Sequence, residues 1–193
     1  MGRSGSPAAS ALRIIGGEWR GRKISFHQLP GLRPTGDRVR ETLFNWLAPH
    51  LTGARCLDLF AGSGVLGIEA LSRGASHCDF VDNHSENAER ITQHIAALGG
   101  QSRASVHCND ALEWLARSNA EWDIVFIDPP FDSALGAASL RQLARHEGLR
   151  QPGWVYFETR RSQPEYVPEE GYTIFREKNA GDVRYQLLQV QPR

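Results

Sequence analysis

The stretch Leu57-Asp58-Leu59-Phe60-Ala61-Gly62-Ser63-Gly64-Val65-Leu66-Gly67 decides the fold, because three glycines follow a short apolar run there. Glycine lets a backbone turn tightly and approach a ligand closely. The apolar residues around the turn predict a buried strand over 54–60 and a helix over 65–73. A glycine-rich turn between a strand and a helix is a common ligand-binding place in α/β sheets.

Outward from this turn, short apolar runs alternate with segments of helical length. We predict further strands at 77–82, 103–108, 122–128 and 154–159. Further helices are predicted at 85–98, which Ser85 would cap, and at 111–117 and 133–146. This alternation is typical of a parallel sheet covered by helices on both faces, so the fold class is α/β. No helix separates the last two apolar runs, 172–177 and 184–190, which predicts a C-terminal antiparallel hairpin.

The first fifty residues differ from the rest in charge. Residues 1–50 hold eight Lys and Arg against three Asp and Glu, a net charge of +5, whereas residues 51–193 carry −5. A basic segment suits a polyanion, although charge alone favours an ordinary solvated surface. We predict a disordered tail at 1–10, then a basic extension at 11–50 with a small hairpin and a helix that Asp37 could cap, and a main domain at 51–193.

Composition disfavours several classes of protein. No apolar run approaches the roughly 18 residues that a membrane span needs, and residues 1–10 lack the apolar core of a secretory signal. The three cysteines, Cys56, Cys78 and Cys108, are odd in number and far apart. That pattern argues against a disulfide framework and a zinc site, and we expect buried thiols in a reducing cytoplasm. No metal site is predicted.

Two ligands compete for the glycine turn. Gly62, Gly64 and Gly67 spell G-x-G-x-x-G, and Asp82 follows at the end of the second strand, as in dinucleotide-binding proteins. However, a carboxylate at Asp58 would repel a pyrophosphate, whereas it suits the cationic methionine end of S-adenosylmethionine. The motif Asp128-Pro129-Pro130-Phe131 also has no use in hydride transfer. We therefore predict S-adenosylmethionine as the cofactor and S-adenosylhomocysteine as its product.

The cofactor suggests a role for each acidic residue. Asp82 should accept hydrogen bonds from the ribose hydroxyls. Asp110 should accept one from the adenine amino group, with Ala111 lending a backbone N–H, although Asp110 is equally well explained as a helix N-cap. The predicted cofactor site consists of Asp58, Phe60, Ala61, Gly62, Gly64, Asp82, Asn83, Asp110 and Ala111.

The most specific chemical motif is Asp128-Pro129-Pro130-Phe131. Two prolines fix the backbone and remove two N–H donors, which leaves carbonyl groups free to accept. An exocyclic amine attacks a methyl group only when its lone pair is turned out of conjugation with the ring. The Asp128 carboxylate and the Pro129 carbonyl can each accept one amine N–H, and Phe131 can stack on the base. We predict catalytic roles for Asp128, Pro129, Pro130 and Phe131, with a rigid turn as the alternative.

With these residues in place, the chain resembles the RsmD family of bacterial 16S ribosomal RNA guanine-N2 methyltransferases over nearly all of residues 12–190. Four stretches match: Arg13-Ile14-Ile15-Gly16-Gly17-Glu18-Trp19-Arg20-Gly21-Arg22-Lys23, Leu32 to Thr35 with Asp37 to Leu47, Leu57-Asp58 with Phe60 to Gly64, and Asp128 to Phe131. The last two of these stretches are shared by many amino-methyltransferases, whereas the first two are more specific to the family. Gly36 stands where the family pattern has Thr.

The resemblance implies a Rossmann-like methyltransferase fold with a mostly parallel seven-stranded sheet. It also implies methyl transfer to N2 of guanine 966 of 16S ribosomal RNA within the small ribosomal subunit, by a cytoplasmic enzyme that we expect to be a monomer. Basic residues of the extension would then contact phosphates, which set affinity rather than base choice. They are Arg13, Arg20, Arg22, Lys23, Arg33, Arg38 and Arg40.

Three other hypotheses stay open at this point. One keeps the fold and changes the acceptor to a DNA adenine or a protein glutamine. Another is a non-catalytic RNA-binding assembly factor with a vestigial pocket, against which the intact Asp58, Asp82 and Asp128 count. The third is the oxidoreductase suggested by the glycine pattern.

Overall fold

The computed structural model describes residues 10–26, 36–130, 134–146, 148–163 and 171–191. The strands are β1 (Ser10–Arg13), β2 (Lys23–Phe26), β3 (Arg55–Asp58), β4 (His77–Asp82), β5 (Ala104–Cys108), β6 (Trp122–Ile127), β7 (Leu149–Arg160), β8 (Tyr172–Ala180) and β9 (Val183–Val190). The helices are α1 (Asp37–Leu51), α2 (Val65–Ser72), α3 (Ser85–Leu98), α4 (Ala111–Arg117) and α5 (Leu135–Arg145), with a 3₁₀ turn at Gln101–Arg103.

Seven of these strands form one sheet in the order β5-β4-β3-β6-β7-β9-β8. The pairs from β5 to β7 are parallel, while β9 runs antiparallel to both β7 and β8. This is the mostly parallel α/β sheet with a C-terminal antiparallel hairpin that the sequence predicted, and it is confirmed. The separate β1–β2 pair is antiparallel and forms the small basic hairpin of the N-terminal extension.

The sheet is covered on both faces. Helices α1, α2 and α3 pack on one face, where Leu43, Ile68 and Phe126 belong to one apolar cluster. Helices α4 and α5 pack on the other, where Leu115 and Leu140 belong to a second cluster. Because both faces are buried, the central strands are apolar almost throughout, as in β6. No helix within the described ranges is long and apolar enough to cross a membrane.

Predicted and observed elements agree closely in the main domain. Strand β4 and helices α3 and α4 have the predicted bounds. Strand β3 is three residues shorter than predicted and β6 one residue shorter, whereas β7 begins five residues earlier than predicted, at Leu149. Helix α5 begins at Leu135, and Ser133, where the prediction placed its start, lies outside the described residues.

Three local expectations are wrong. Asp37 does not cap α1, because the helix begins at Asp37 itself and Gly36 is its N-cap residue. Ser85 likewise is the first residue of α3 rather than its cap, which is His84. Cys108 is exposed, unlike Cys56 and Cys78, because it ends β5 at the margin of the sheet.

Candidate active site

Four acidic residues stand at the carboxyl-terminal edge of four adjacent strands. Asp82 ends β4, Asp58 ends β3, Asp128 follows β6, and Glu158 lies near the end of β7. Asp58 is level with Phe80 and Phe126 in the register, so Asp82 and Asp128 lie two residues further along. Glu158 likewise lies two residues beyond Tyr156, which pairs with Phe126. We call Asp82, Asp58, Asp128 and Glu158 the acidic row. It lies where ligands bind in open α/β sheets.

Asp58 is the deepest member of the acidic row. Its side chain is buried, and its Oδ2 accepts a hydrogen bond from the Gly67 N–H at 3.0 Å. Burial, and then the charges of Asp128 and Asp82, raise the pKa of this carboxyl from 3.8 to about 8, against the lowering effect of the Gly67 N–H. Asp58 is thus a carboxylate whose environment favours a cationic partner.

The glycine turn between β3 and α2 has the backbone shape that the sequence suggested. Gly62 and Gly64 have positive φ angles of 52° and 74°, a conformation that other residues rarely adopt. The Ala61 N–H donates to the Val81 carbonyl at 2.9 Å, and the Gly62 N–H donates to Asp82 Oδ2 at 2.7 Å. The turn is therefore held against the end of β4, beside the acidic row.

The remaining predicted cofactor residues border this turn. Asp82 Oδ1 accepts from the His84 N–H at 2.9 Å and from Asn87 at 3.1 Å, whereas Asn83 is exposed. Asp110 caps α4 through the Glu113 N–H at 3.0 Å, so one of its two predicted roles is present in the structure. Phe60 is half-buried, and Ala111 is buried at the start of α4.

The predicted catalytic motif begins directly after β6, where the chain leaves the sheet. Asp128 is half-buried, Pro129 is buried and Pro130 is exposed. The first turn of α5 packs closely here, because a Cβ on Gly136 would lie 3.2 Å from the Pro129 ring and 2.7 Å from the Phe157 ring. Phe131, predicted to stack on the base, lies outside the described residues.

The sequence prediction did not single out Glu158. It is 4% exposed, and its Oε2 accepts a hydrogen bond from the Tyr156 hydroxyl at 2.6 Å. The signal was available, since an acidic residue closes an apolar strand here as at Asp58 and Asp82. The predicted strand 154–159 includes Glu158, but the sequence does not show that Asp128 follows the neighbouring strand.

The predicted RNA-contacting residues divide into two groups. Arg13, Arg20, Arg22, Lys23 and Arg38 are exposed, and Arg33 lies outside the described residues.

Arg40 is a correction. It is fully buried, donates to the Arg13 carbonyl at 3.0 Å and to Asp37 at 2.6 Å, and lies 3.5 Å from Glu69. A side chain enclosed in this way cannot reach a phosphate, so Arg40 has a structural role.

A cavity of about 370 Å³ lies at the opposite end of the sheet, between Leu143, Leu149 and Val190. It contains none of the predicted site residues. Within the described ranges, no three His, Cys, Asp or Glu side chains are grouped as a metal ion would require. The acidic row and the glycine turn remain the candidate active site.

Comparison with known proteins finds relatives over nearly the whole chain. The chain matches the family model described as conserved hypothetical protein 95 over residues 12–189. It is 40% identical to ribosomal RNA small subunit methyltransferase D of Escherichia coli K12 over 189 residues, which cover 98% of this chain and 95% of that protein.

Solved structures have the same fold. The yhhF protein of Escherichia coli gives a TM-score of 0.86 at 38% identity, over 94% of this chain and 99% of that one. SMU.776, complexed with SAH, gives a TM-score of 0.69 at 16% identity, over 98% of this chain and 58% of that one. The second likeness concerns the fold alone.

Proposed function

Because the chain belongs to the RsmD family of small-subunit ribosomal RNA methyltransferases, we propose that it transfers a methyl group from S-adenosylmethionine to N2 of a guanine in 16S ribosomal RNA. From the family resemblance, we propose that this base is guanine 966, within the small ribosomal subunit. The observation that carries the proposal is the position of Asp128 at the end of β6. Strand β6 lies between β3, which leads into the glycine turn after Asp58, and β7.

The residues of the glycine turn fit the cofactor. The positive φ angles of Gly62 and Gly64 leave a backbone that a ligand can approach closely. Asp82 would hold the ribose hydroxyls and Asp58 the cationic methionine end, while Asp110 and Ala111 would border the adenine. S-adenosylmethionine supplies an electrophilic methyl group carried on a sulfonium.

Asp128 and Pro129 would orient the acceptor amine. The Asp128 carboxylate accepts one N–H of the amino group and the Pro129 carbonyl accepts the other, which turns the nitrogen lone pair toward the methyl carbon. The nitrogen forms its new bond as the sulfur–carbon bond breaks, and the proton that it then carries is acidic enough to pass to water. Such positioning contributes up to about 7–11 kcal/mol in favourable cases.

The basic extension would bind the RNA backbone. Exposed cations on a hairpin, such as Arg13, Arg20 and Lys23, can reach phosphates without disturbing the core. Phosphate contacts fix orientation and carry no base information, so the choice of guanine must come from the acidic row. A base in a folded RNA must also turn out of its stack, which costs a few kcal/mol.

The test is tritium transfer from labelled cofactor to small subunits that lack the modification, with the methylated base mapped by mass. We expect one N2-methylguanine in the wild-type reaction. Asp128→Ala should abolish turnover while part of the cofactor binding survives. Glu121→Ala, an exposed carboxylate at the opposite end of β6, is the matched control and should keep full activity.

Other outcomes would support other functions. Label in DNA adenine or protein glutamine would change the acceptor class. Calorimetry without S-adenosylmethionine binding would support an assembly factor, and NAD binding in its place would support an oxidoreductase. Full activity of Asp128→Ala would overturn the catalytic centre.

A further inference from the structure

Asp128 and Glu158 are neighbours across two parallel strands. Ile127 of β6 lies opposite Phe157 of β7, and these two residues form the last pair between the strands, which are spaced about 4.8 Å apart. Asp128 and Glu158 each come directly after a member of that pair. Both residues lie two positions beyond Phe126 and Tyr156, whose ring centroids are 6.5 Å apart within the cluster on the α1 face. The two carboxylates therefore share one face of the sheet.

Glu158 is held in a fixed orientation. It is 4% exposed and accepts the Tyr156 hydroxyl at 2.6 Å, while Tyr156 itself is fully buried. Burial, and then the charges of Glu158 and Asp128, raise the pKa of Tyr156 well above its usual 10. Tyr156 therefore remains a neutral donor at physiological pH, and one carboxylate oxygen of Glu158 is fixed by it.

We propose that Glu158 determines base specificity by accepting the N1–H of the target guanine while Asp128 accepts an N–H of its N2 amino group. This inference rests on the proposed function and goes beyond it by naming the residue that selects guanine. The Watson–Crick edge of guanine carries adjacent donors at N1 and N2, which match two adjacent carboxylates. Adenine presents a lone pair at N1, which a carboxylate repels.

The sharpest probe is 2-aminopurine, which keeps the 2-amino group and replaces the N1–H with a lone pair. Small subunits would be reconstituted from ligated 16S RNA with either guanine or 2-aminopurine at the target position. A hydrogen bond to a charged group corresponds to about a ten- to hundredfold preference, so wild-type kcat/KM should favour guanine by that factor. A wild-type ratio near one would overturn the inference.

Glu158→Gln tests the residue itself. Its amide can donate to the N1 lone pair of 2-aminopurine, so the preference for guanine should fall by at least tenfold. The fluorescence of 2-aminopurine, measured with S-adenosylhomocysteine and no turnover, should rise more on binding this variant than on binding wild type. Glu177→Gln, an exposed β8 residue, is the control and should keep the wild-type ratio.

Tyr156→Phe provides a second variant, which keeps the ring and removes the hydroxyl that fixes Glu158. For this variant, the ratio of kcat/KM with guanine to kcat/KM with 2-aminopurine should fall severalfold, while its affinity for the cofactor should be unchanged. An unaltered ratio in both variants would overturn the role of Glu158 while leaving the proposed function intact. Absence of methyl transfer to guanine by the wild-type protein would instead overturn the proposed function.

Discussion

The backbone N–H of Ile15 donates to Glu69 Oε2 at 2.8 Å, which joins the N-terminal extension to helix α2 across 54 residues of sequence. The Gly16 N–H donates to Oε1 of the same carboxylate at 2.8 Å, and Arg73 Nε does so at 2.7 Å. Helix α2 begins at the glycine turn. The basic extension is thus anchored to the helix that borders the candidate cofactor site.

Glu69→Ala should strongly destabilise the protein. Glu69 is fully buried, and its removal would leave Arg40 and Arg73 without their shared counter-ion and two backbone N–H groups without an acceptor. Removing one partner of a buried ion pair typically costs about 3–5 kcal/mol of unfolding free energy. Urea denaturation measures this loss.

Glu113→Ala is the control for that measurement. Glu113 pairs with Arg117 at 3.4 Å on the exposed surface of α4, where an ion pair contributes about 0–1 kcal/mol. Equal losses for Glu69→Ala and Glu113→Ala would show that the buried contacts do not anchor the extension.

Gly17→Ala should cost more stability than Gly21→Ala, although both glycines have similar positive φ angles of 77° and 85°. The left-handed conformation alone costs a non-glycine residue about 1–2 kcal/mol. A Cβ on Gly17 would also lie 1.8 Å from the backbone carbonyl oxygen of Ser72, whereas nothing lies within 4 Å of one on Gly21.

Because both variants carry the backbone strain of a positive φ angle, the difference in stability between Gly17→Ala and Gly21→Ala measures the contact between the extension and α2. The Glu18 N–H donates to the same Ser72 carbonyl at 2.7 Å, so the clash would displace this hydrogen bond. Thermal unfolding of the two variants should show a clearly lower midpoint for Gly17→Ala. Equal midpoints would contradict the proposed close approach.

The sequence predicted the sheet and three members of the acidic row, because acidic residues at the ends of apolar strands are visible without a structure. It could not place Asp58 two residues below the level of Asp82 and Asp128, since that depends on strand register. It missed Glu158 because the residue beside it, Asp128, follows a different strand of the sheet.

For Arg40, the sequence assigned a binding role to a residue that the structure buries. In sequence it is one more arginine in a basic segment, and its charge suggests a place on the surface. Its partner Glu69 lies in a different helix, so only packing reveals that the side chain is enclosed. Trp19 is likewise buried by a residue far away in sequence, because the Arg103 guanidinium carbon lies 4.9 Å from the centre of its ring.

Asp58 should make stability fall as pH rises. Its folded pKa of about 8 lies above the unfolded value of 3.8, so the folded state binds more protons between those values. The stabilising contribution is fully present below pH 3.8 and is lost as pH rises through 8. In urea denaturation, the fall in unfolding free energy from pH 5 to pH 8 should be larger for wild type than for Asp58→Asn.

Cofactor binding should reverse this protonation. A cationic ligand beside Asp58 favours the carboxylate, so binding at pH 7 should release a proton from that residue. Calorimetry in two buffers of different ionisation enthalpy measures the release, and Asp58→Asn should abolish it. Binding without proton release by the wild-type protein would place the cationic end of the cofactor elsewhere.

Exposed basic residues of the extension should affect binding to small subunits, whereas the buried Arg40 should affect stability. Arg20→Ala and Lys23→Ala remove exposed charges, so each should weaken binding to small subunits at low salt and leave the unfolding free energy unchanged. Each lost phosphate contact should lower the slope of log affinity against log salt by about one. Arg145→Ala, exposed at the end of α5, is the control and should leave the slope unchanged.

Arg40→Ala should give the opposite pattern. It removes the guanidinium that joins the Arg13 carbonyl to Asp37 and Glu69, so stability should fall while the salt slope of the remaining folded protein stays near wild type. A reduced slope with unchanged stability would mean that Arg40 reaches a phosphate after all. The two measurements together separate the residues that bind RNA from those that hold the extension in place to bind it.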